Sequence, residues 1–213
     1  LRELIDGIDP KYNPENFMVK TPEAALTAIA HFESADKAVV IKPRNLTGGK
    51  GVKVMGKHLG SYDEVREYAA QVLADSKQTG LEVQERLDGH EFTLQLFTDG
   101  RTAIKPPATY DYPYREDGDE GPGTGGMGTF SMRPGVQLPF MTDEDYNEAI
   151  ALMKQLLLSL KSRGHNYKGV LYPTFFKTPK GLKIVEINAR GGDPELEGQI
   201  KAMVPDIPET VRF

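Results

Sequence analysis

The stretch Lys183-Ile184-Val185-Glu186-Ile187-Asn188-Ala189-Arg190-Gly191-Gly192-Asp193-Pro194-Glu195 limits most strongly what this chain can fold into. A β-branched strand runs into a glycine turn and then Asp-Pro-Glu. Strand side chains alternate, so Val185 and Ile187 are expected on one face and Glu186 and Asn188 on the other. Arg190 prolongs the polar face if the strand runs that far. An apolar face must bury, which leaves a carboxylate, a carboxamide and a guanidinium to line a cleft. Glu and Asn oxygens are what a magnesium ion takes, with phosphate oxygens and water completing its octahedron. The plainer reading is a half-solvated strand. For this segment alone the plainer reading is the stronger, because alternation is the commonest strand pattern.

The rest of the chain supplies context. Thr21-Pro22-Glu23 opens a helix with Ala25, Leu26, Ile29 and Phe32 on its apolar face. Residues 38–43 read as a strand, 45–51 as a glycine-rich turn and 52–55 as the returning strand, a hairpin with a flexible tip. Ser61 and Glu64 make a capping box for a second helix, with Val65, Tyr68, Val72 and Leu73 inward. Residues 81–87 and 92–97 read as strands joined across Asp88-Gly89. Residues 105–140 are rich in Pro, Gly, Asp and Tyr and lack periodicity, as in a functional or disordered loop. Thr142 with Asp145 starts the longest helix, with Ile150, Met153, Leu157 and Leu160 as its core face and Gly164 as its stop. Residues 170–176 and 182–187 close the chain as strands around a turn at Pro179-Lys180-Gly181. Hairpins mixed with helices favour α+β with largely antiparallel sheets over a doubly wound parallel sheet.

Composition excludes several classes of function. A net charge of −5 over 213 residues argues against binding to a nucleic-acid backbone. No apolar run approaches the ~20 residues that cross a bilayer. Without cysteine there are no disulfides, zinc thiolates or cysteine nucleophiles, and a reducing cytosol is compatible. The four histidines, His31, His58, His90 and His165, show no metal-ligand spacing. Leu1 stands where a start methionine would, so the chain is expected to be an excised piece of a longer one.

Three further constellations could carry chemistry. Lys42 with Thr47-Gly48-Gly49-Lys50-Gly51 offers two cations and backbone N–H groups that can approach an anion closely. It is not a Walker A loop, because Gly51 follows Lys50 where Ser or Thr is needed. A mobile hairpin tip with solvated lysines accounts for it equally well. In Gln84-Glu85-Arg86-Leu87-Asp88-Gly89-His90-Glu91, Glu91 could accept ribose hydroxyls and the preceding backbone could meet a purine; for this segment alone a charged surface turn is the stronger reading. Gly118-Asp119-Glu120-Gly121-Pro122-Gly123-Thr124-Gly125-Gly126-Met127-Gly128 contains G-x-G-x-x-G. No apolar strand precedes it and residues 129–134 make a poor helix start, so a dinucleotide fingerprint is rejected. Either a loop holding a small anionic substrate or a flexible surface loop remains.

Together these motifs resemble the ATP-grasp fold, and within it the phosphoribosylamine–glycine ligase (glycinamide ribonucleotide synthetase) family. The resemblance is carried by Thr124-Gly125-Gly126-Met127-Gly128 after Gly118-Asp119, by Glu186 through Glu195, by Gly49-Lys50-Gly51-Val52, by Glu85 through Glu91 and by Gly169-Val170-Leu171-Tyr172, in the family's order. It implies two α+β subdomains with largely antiparallel sheets holding ATP between them. Residues 21–87 would be the smaller subdomain with the glycine-rich loop, and 88–200 the larger with the metal site. Residues 1–20 would connect from a missing N-terminal domain, and 201–213 would begin a truncated C-terminal part.

The implied roles follow by position. Lys42, Gly48, Gly49, Lys50 and Gly51 would meet the ATP phosphates, Glu85, Arg86 and Leu87 the adenine, and Glu91 the ribose. Glu186 and Asn188 would hold magnesium, with manganese as the alternative ion. Arg190, Lys50 and Asp193 would be the catalytic residues. Asp111, Thr124, Gly125, Gly126, Met127 and Asp193 would border the small substrates. These would be glycine and 5-phosphoribosylamine, joined through a glycyl phosphate to give glycinamide ribonucleotide, ADP and phosphate, in a cytoplasmic enzyme of purine biosynthesis. Two departures stand out: Asp111-Tyr112-Pro113-Tyr114 replaces the family's Asp-His-Lys-Arg run, and Arg86 stands where an aromatic is common. The competing expectations are another ATP-grasp carboxylate–amine ligase and a nucleotide-binding module without catalysis.

Overall fold

Residues 2–45, 51–75, 77–118 and 120–204 are described by the computed structural model. They form two compact units. One holds Pro14–Leu87 and Arg115–Gly125; the other holds Asp88–Tyr114 with the stretches up to Asn13 and from Gly126 onward. The chain opens in the latter with α1 (Arg2–Asp6) and a single 3-10 turn over Pro10–Tyr12.

The Pro14–Leu87 unit is a four-stranded antiparallel sheet covered by two helices. Its elements are β1 (Asn16–Val19), α2 (Pro22–Ser34), β2 (Val39–Pro43), β3 (Lys53–Val54), α3 (Tyr62–Ala74) and β4 (Leu81–Glu85), in sheet order β1-β4-β2-β3. Thr21 caps α2 by accepting from the Ala24 N–H, as its sequence predicts. Ala25, Ile29 and Phe32 are buried, but Leu26 is 49% exposed and Ala28 takes its place inward. Ser61 caps α3 by accepting from the Glu64 N–H; Glu64 returns its carboxylate to the Gly60 N–H, not to Ser61, so half of the expected box is displaced by one residue. Val39, Ile41, Leu81 and Val83 face the helices and pack with Ile29, Phe32, Val65 and Val72. Each such side chain contributes roughly 1.5–3 kcal/mol by leaving water. Strand β1 has no counterpart in the sequence reading, because four residues with one exposed Met give little alternation.

The second unit is built on a seven-stranded antiparallel sheet. After β5 (His90–Thr93), β6 (Leu96–Thr98) and β7 (Ala103–Ile104), the stretch read as a long loop contains β8 (Thr109–Asp111), β9 (Tyr114–Glu116), β10 (Glu120–Gly123) and β11 (Thr129–Ser131). Strands β9 and β10 pair as a separate ribbon, which from Arg115 onward belongs to the Pro14–Leu87 unit. The closing elements are α4 (Asp143–Ser162), β12 (Gly169–Thr178), β13 (Gly181–Asn188) and α5 (Glu195–Met203). The sheet runs β11-β8-β5-β12, with β13 on the far side of β12 and β6-β7 continuing from its other end. A complete capping box of Thr142 and Asp145 starts α4. Its core face is Ala149, Leu152, Met153 and Leu156, with Ile150 and Leu157 only partly covered. The face is thus rotated from the one expected. These side chains pack with Ile5, Phe92, Phe175 and Ile184. Phe92 and Phe175 stack with centroids 5.2 Å apart.

Candidate active site

The sheet of the second unit has one apolar and one polar face, and its register shows why. Glu186 opposes Thr174, Thr174 opposes Thr93, Thr93 opposes Thr109 and Thr109 opposes Ser131. Directly opposed residues share a face, so one polar row crosses five strands. Two residues along each strand, the same face adds Asn188, Tyr172, Glu91, Asp111 and Thr129. The opposite face carries Phe92, Phe175 and Ile184 into the core. A hydrogen bond of 2.7 Å between the Thr109 and Ser131 hydroxyls lies within the row.

Glu186 and Asn188 reach this face through a β-bulge. Leu182 and Ile184 are buried, and simple alternation would send Glu186 inward after them. The register shifts instead: Phe175 opposes Ile184 and Thr174 opposes Glu186, which leaves Val185 as the extra residue. Beyond the bulge Ile187 packs on the core, while Glu186 and Asn188 face outward together. The expectation that Val185 and Ile187 share a regular apolar face is therefore corrected: Val185 is the bulge. The Arg2 guanidinium secures this irregularity by donating to the Ile184 carbonyl at 2.8 Å and the Val185 carbonyl at 3.1 Å.

Asn188 Nδ2 donates to Glu186 Oε1 at 2.9 Å. That bond turns the amide nitrogen toward Glu186 and leaves the amide oxygen and the second carboxylate oxygen for other partners. Two hard oxygen donors fit magnesium or manganese. No group of three or more His, Asp or Glu side chains able to hold a metal occurs among the described residues. The pair therefore suits an ion whose remaining ligands are phosphate and water. Arg190 is exposed, with Nη1 donating to the Gly191 carbonyl at 2.8 Å, and Asp193 is exposed beside it.

A second, buried cluster lies where α5 packs on β8 and β11. Tyr172 donates from its hydroxyl to Glu195 Oε1. Burial, and then the Glu195 carboxylate, push the Tyr172 hydroxyl pKa upward. The Asp111 carboxyl is raised to about 7, first by burial and then by the charge of Glu195. Gln95 accepts from the Gly192 N–H at 2.7 Å and Gln199 donates to the Pro107 carbonyl at 2.9 Å. Gly126, at φ +124°, completes the wall; a Cβ there would sit 2.7 Å from Pro194 Cδ and 2.8 Å from the Asp193 carbonyl. Met127, by contrast, is 58% exposed. Its N–H donates to the Tyr112 carbonyl at 2.8 Å, which extends the β8–β11 pairing.

The structure thus groups Glu91, Asp111, Gly126, Met127, Glu186, Asn188, Arg190 and Asp193 on one unit. Lys42, Gly51, Glu85, Arg86, Leu87, Thr124 and Gly125 belong to the other. Lys42 lies on the sheet face turned away from α2 and α3 and donates to Gln84 Oε1 at 2.8 Å. The Glu85 carboxylate accepts from the Glu15 N–H at 2.9 Å and lies 4.0 Å from Lys37 Nζ. Arg86 donates to the Met55 carbonyl at 3.0 Å. Tyr68 donates to the Gly51 carbonyl at 2.7 Å. Gly48, Gly49, Lys50 and Asp119 lie outside the described residues. Gln95, Tyr172, Glu195 and Gln199 escaped sequence reasoning as site residues. Glu195 and Gln199 are four apart on α5, whose apolar stripe of Leu196, Ile200 and Met203 lies on a less buried face, so periodicity pointed away from them.

Two α+β units with antiparallel sheets, a glycine-linked β2–β3 hairpin and a polar sheet face ending in Glu-Ile-Asn define the ATP-grasp fold. The chain belongs to the family described as the phosphoribosylglycinamide synthetase ATP-grasp (A) domain, which matches residues 10–196. It is 44% identical over 168 residues to a phosphoribosylamine–glycine ligase of Methanobrevibacter smithii, covering 78% of this chain and 38% of the relative. It is 39% identical over 197 residues to that of Methanopyrus kandleri, covering 91% and 43%. The crystal structure of phosphoribosylamine–glycine ligase from Thermotoga maritima superposes with a TM-score of 0.72 at 28% identity, over 93% of this chain and 47% of that one. D-alanyl-alanine synthetase A from Vibrio cholerae, at 12% identity and a TM-score of 0.66, shares the fold alone. The chain spans 38–43% of the length of these curated relatives. No helix among the described residues is long and apolar enough to cross a membrane.

Proposed function

We propose that this chain is the ATP- and metal-binding part of a cytoplasmic ligase of de novo purine biosynthesis, which joins glycine to 5-phosphoribosylamine. The carrying observation is the bulge that sets Glu186 and Asn188 on the same sheet face as Asp111, in a chain of this family. A carboxylate resists attack by an amine. The glycine carboxylate oxygen therefore first attacks the γ-phosphorus of ATP, the bond to the β-phosphate oxygen breaks, and ADP leaves. The phosphoribosylamine nitrogen then attacks the acyl carbon, the carbon–oxygen bond breaks, phosphate departs and the nitrogen loses a proton. Phosphoryl transfer of this kind is mostly positioning and charge neutralisation.

Each part of that chemistry has a candidate here. Glu186 and Asn188 would hold magnesium or manganese, which would offset phosphate charge. Lys42, Lys50 and the backbone of Gly48, Gly49 and Gly51 meet the phosphates, and Arg190 faces the developing acyl phosphate. The Glu85 and Arg86 side chains are already engaged, by Glu15 and Met55, so the adenine meets the backbone of Glu85 through Leu87. Glu91 takes the ribose. Asp111, Thr124, Gly125, Gly126, Met127 and Asp193 border glycine and the amine. Activity is tested by following ADP release from magnesium-ATP with a protein of the relatives' full length. Release beyond about one ADP per protein is expected only when glycine and phosphoribosylamine are both present. Equal release with another acid or amine would assign the site to a different ligase, and ATP binding without release would make the chain a binding module.

A further inference from the structure

We propose that the second unit carries a binding site for a phosphate monoester with an apolar, ring-sized body, across the sheet from Glu186 and Asn188. The inference does not rest on the ligase reading. A cavity of about 320 Å³ lies between the β6–β7 hairpin and α4. Helix α4 packs on the sheet face that carries Phe92, Phe175 and Ile184, so the cavity and the Glu186 face are on opposite sides. Sequence periodicity predicts Ile150 and Leu157 in the core face of α4, but the helix buries Ala149, Leu152, Met153 and Leu156 instead. A second stripe of Ile150, Lys154, Leu157, Leu158 and Lys161 is left along the cavity, at helical spacing. Leu158 is 56% exposed. A helix already packed on its core face has no structural need of a second apolar stripe.

The hairpin supplies the other wall. Leu96 opposes Leu171 and Thr98 opposes Ala103, which sets Leu96, Thr98, Ala103 and Lys105 on the α4 side of the sheet. The Asp99 carboxylate ties the turn by accepting from the Arg101 and Thr102 N–H groups at 2.8 and 2.7 Å. The Thr98 hydroxyl adds a bond of 2.7 Å to the Thr102 carbonyl. Such a preformed wall lowers the ordering cost of binding. Charge then defines the ligand. Arg101, Lys105, Lys154 and Lys161 line the cavity, and among the described residues no Asp or Glu does, in a chain of net charge −5. None of the four forms an ion pair with a described residue. Lys161 suits the negative end of α4, but the other three have no such local role. Solvated lysines account for the charge and not for the apolar stripe between them. A phosphate monoester brings two negative charges and oxygens that Arg101 can grip in pairs. Its apolar body would cover Leu157, Leu158 and the Tyr167 ring, whose hydroxyl is committed to the Val170 carbonyl at 2.6 Å. The volume is at the small end of small-molecule sites, which suits one or two rings and not a peptide helix.

The test is calorimetric titration of the 213-residue chain with naphthyl phosphate, naphthol and inorganic phosphate, each with and without a saturating magnesium complex of a non-hydrolysable ATP analogue. Naphthyl phosphate is expected to bind about tenfold or more tightly than either of its parts, and the analogue is expected to leave that affinity unchanged. Arg101→Gln combined with Lys154→Gln is expected to weaken naphthyl phosphate by about tenfold or more. Leu158→Asn is expected to remove most of its preference over inorganic phosphate. All three side chains are exposed, so the fold should persist, as circular dichroism would check. Equal binding of naphthyl phosphate and inorganic phosphate would leave an adventitious ion only. Displacement by the ATP analogue would put the ligand in the nucleotide site. Wild-type affinity in the folded double variant, or an unchanged preference in Leu158→Asn, would put it elsewhere. Each of these results would overturn the inference.

Discussion

Asp111 titrates near neutrality because its carboxyl is buried and faces Glu195, which raises it from 3.8 to about 7. The folded value lies above the unfolded one, so the folded state binds the extra proton between these limits. Stability from this group is full below about pH 4 and is lost as pH rises through about 7. Asp111→Asn is expected to remove that fall, read as melting temperature against pH from 5 to 8; an unchanged slope would assign the titration elsewhere. Glu186→Gln and Asn188→Leu are expected to abolish the magnesium dependence of nucleotide binding while the circular-dichroism spectrum stays that of the wild type. Wild-type magnesium dependence in both would remove the metal assignment. Glu186 and Asn188 were legible because an exposed polar pair two apart on a β-branched strand is a sequence pattern. Tyr172 and Glu195 were not, since their bond joins residues 23 positions apart.

Among the elements, β13 shows how local pattern and register can disagree. Alternation correctly grouped Glu186 with Asn188, but it could not reveal that Val185 is an insertion, because a bulge is defined by the partner strand. Arg2 holds the two carbonyls at the bulge from 182 and 183 residues away. Arg2→Ala is expected to leave two half-buried carbonyls short of a donor, costing about 1 kcal/mol of stability. It is also expected to weaken magnesium-dependent nucleotide binding severalfold without touching ligand. Denaturation and nucleotide titration check both, and an unaltered nucleotide affinity would show that the bulge holds itself. The capping box of α4 was readable from Thr142 and Asp145, and Thr142→Ala is expected to cost about 1 kcal/mol in urea unfolding. The strands β8 and β11 were hidden in a glycine-rich stretch because each is three residues long and takes its stability from pairing, not propensity.

For the whole molecule, the order of hairpins and helices was enough to predict α+β architecture with antiparallel sheets, and the sheets have that form. The relatives named for that activity are longer, and this chain spans 38–43% of the length of two of them. Phosphoribosylamine carries a phosphate that needs its own site, and the glycine-rich loops here are already assigned to ATP and glycine. Misplaced reactants forfeit about 10²-fold or more in rate. The 213-residue chain alone is therefore expected to bind ATP and make little product. The central claim is that a carboxylate is activated as an acyl phosphate. It is tested most directly by running the full-length reaction with glycine labelled with oxygen-18 in its carboxylate and weighing the released phosphate. The account predicts one labelled oxygen in each phosphate, formed in step with ADP and glycinamide ribonucleotide. Unlabelled phosphate from a reaction that still forms the amide would contradict it.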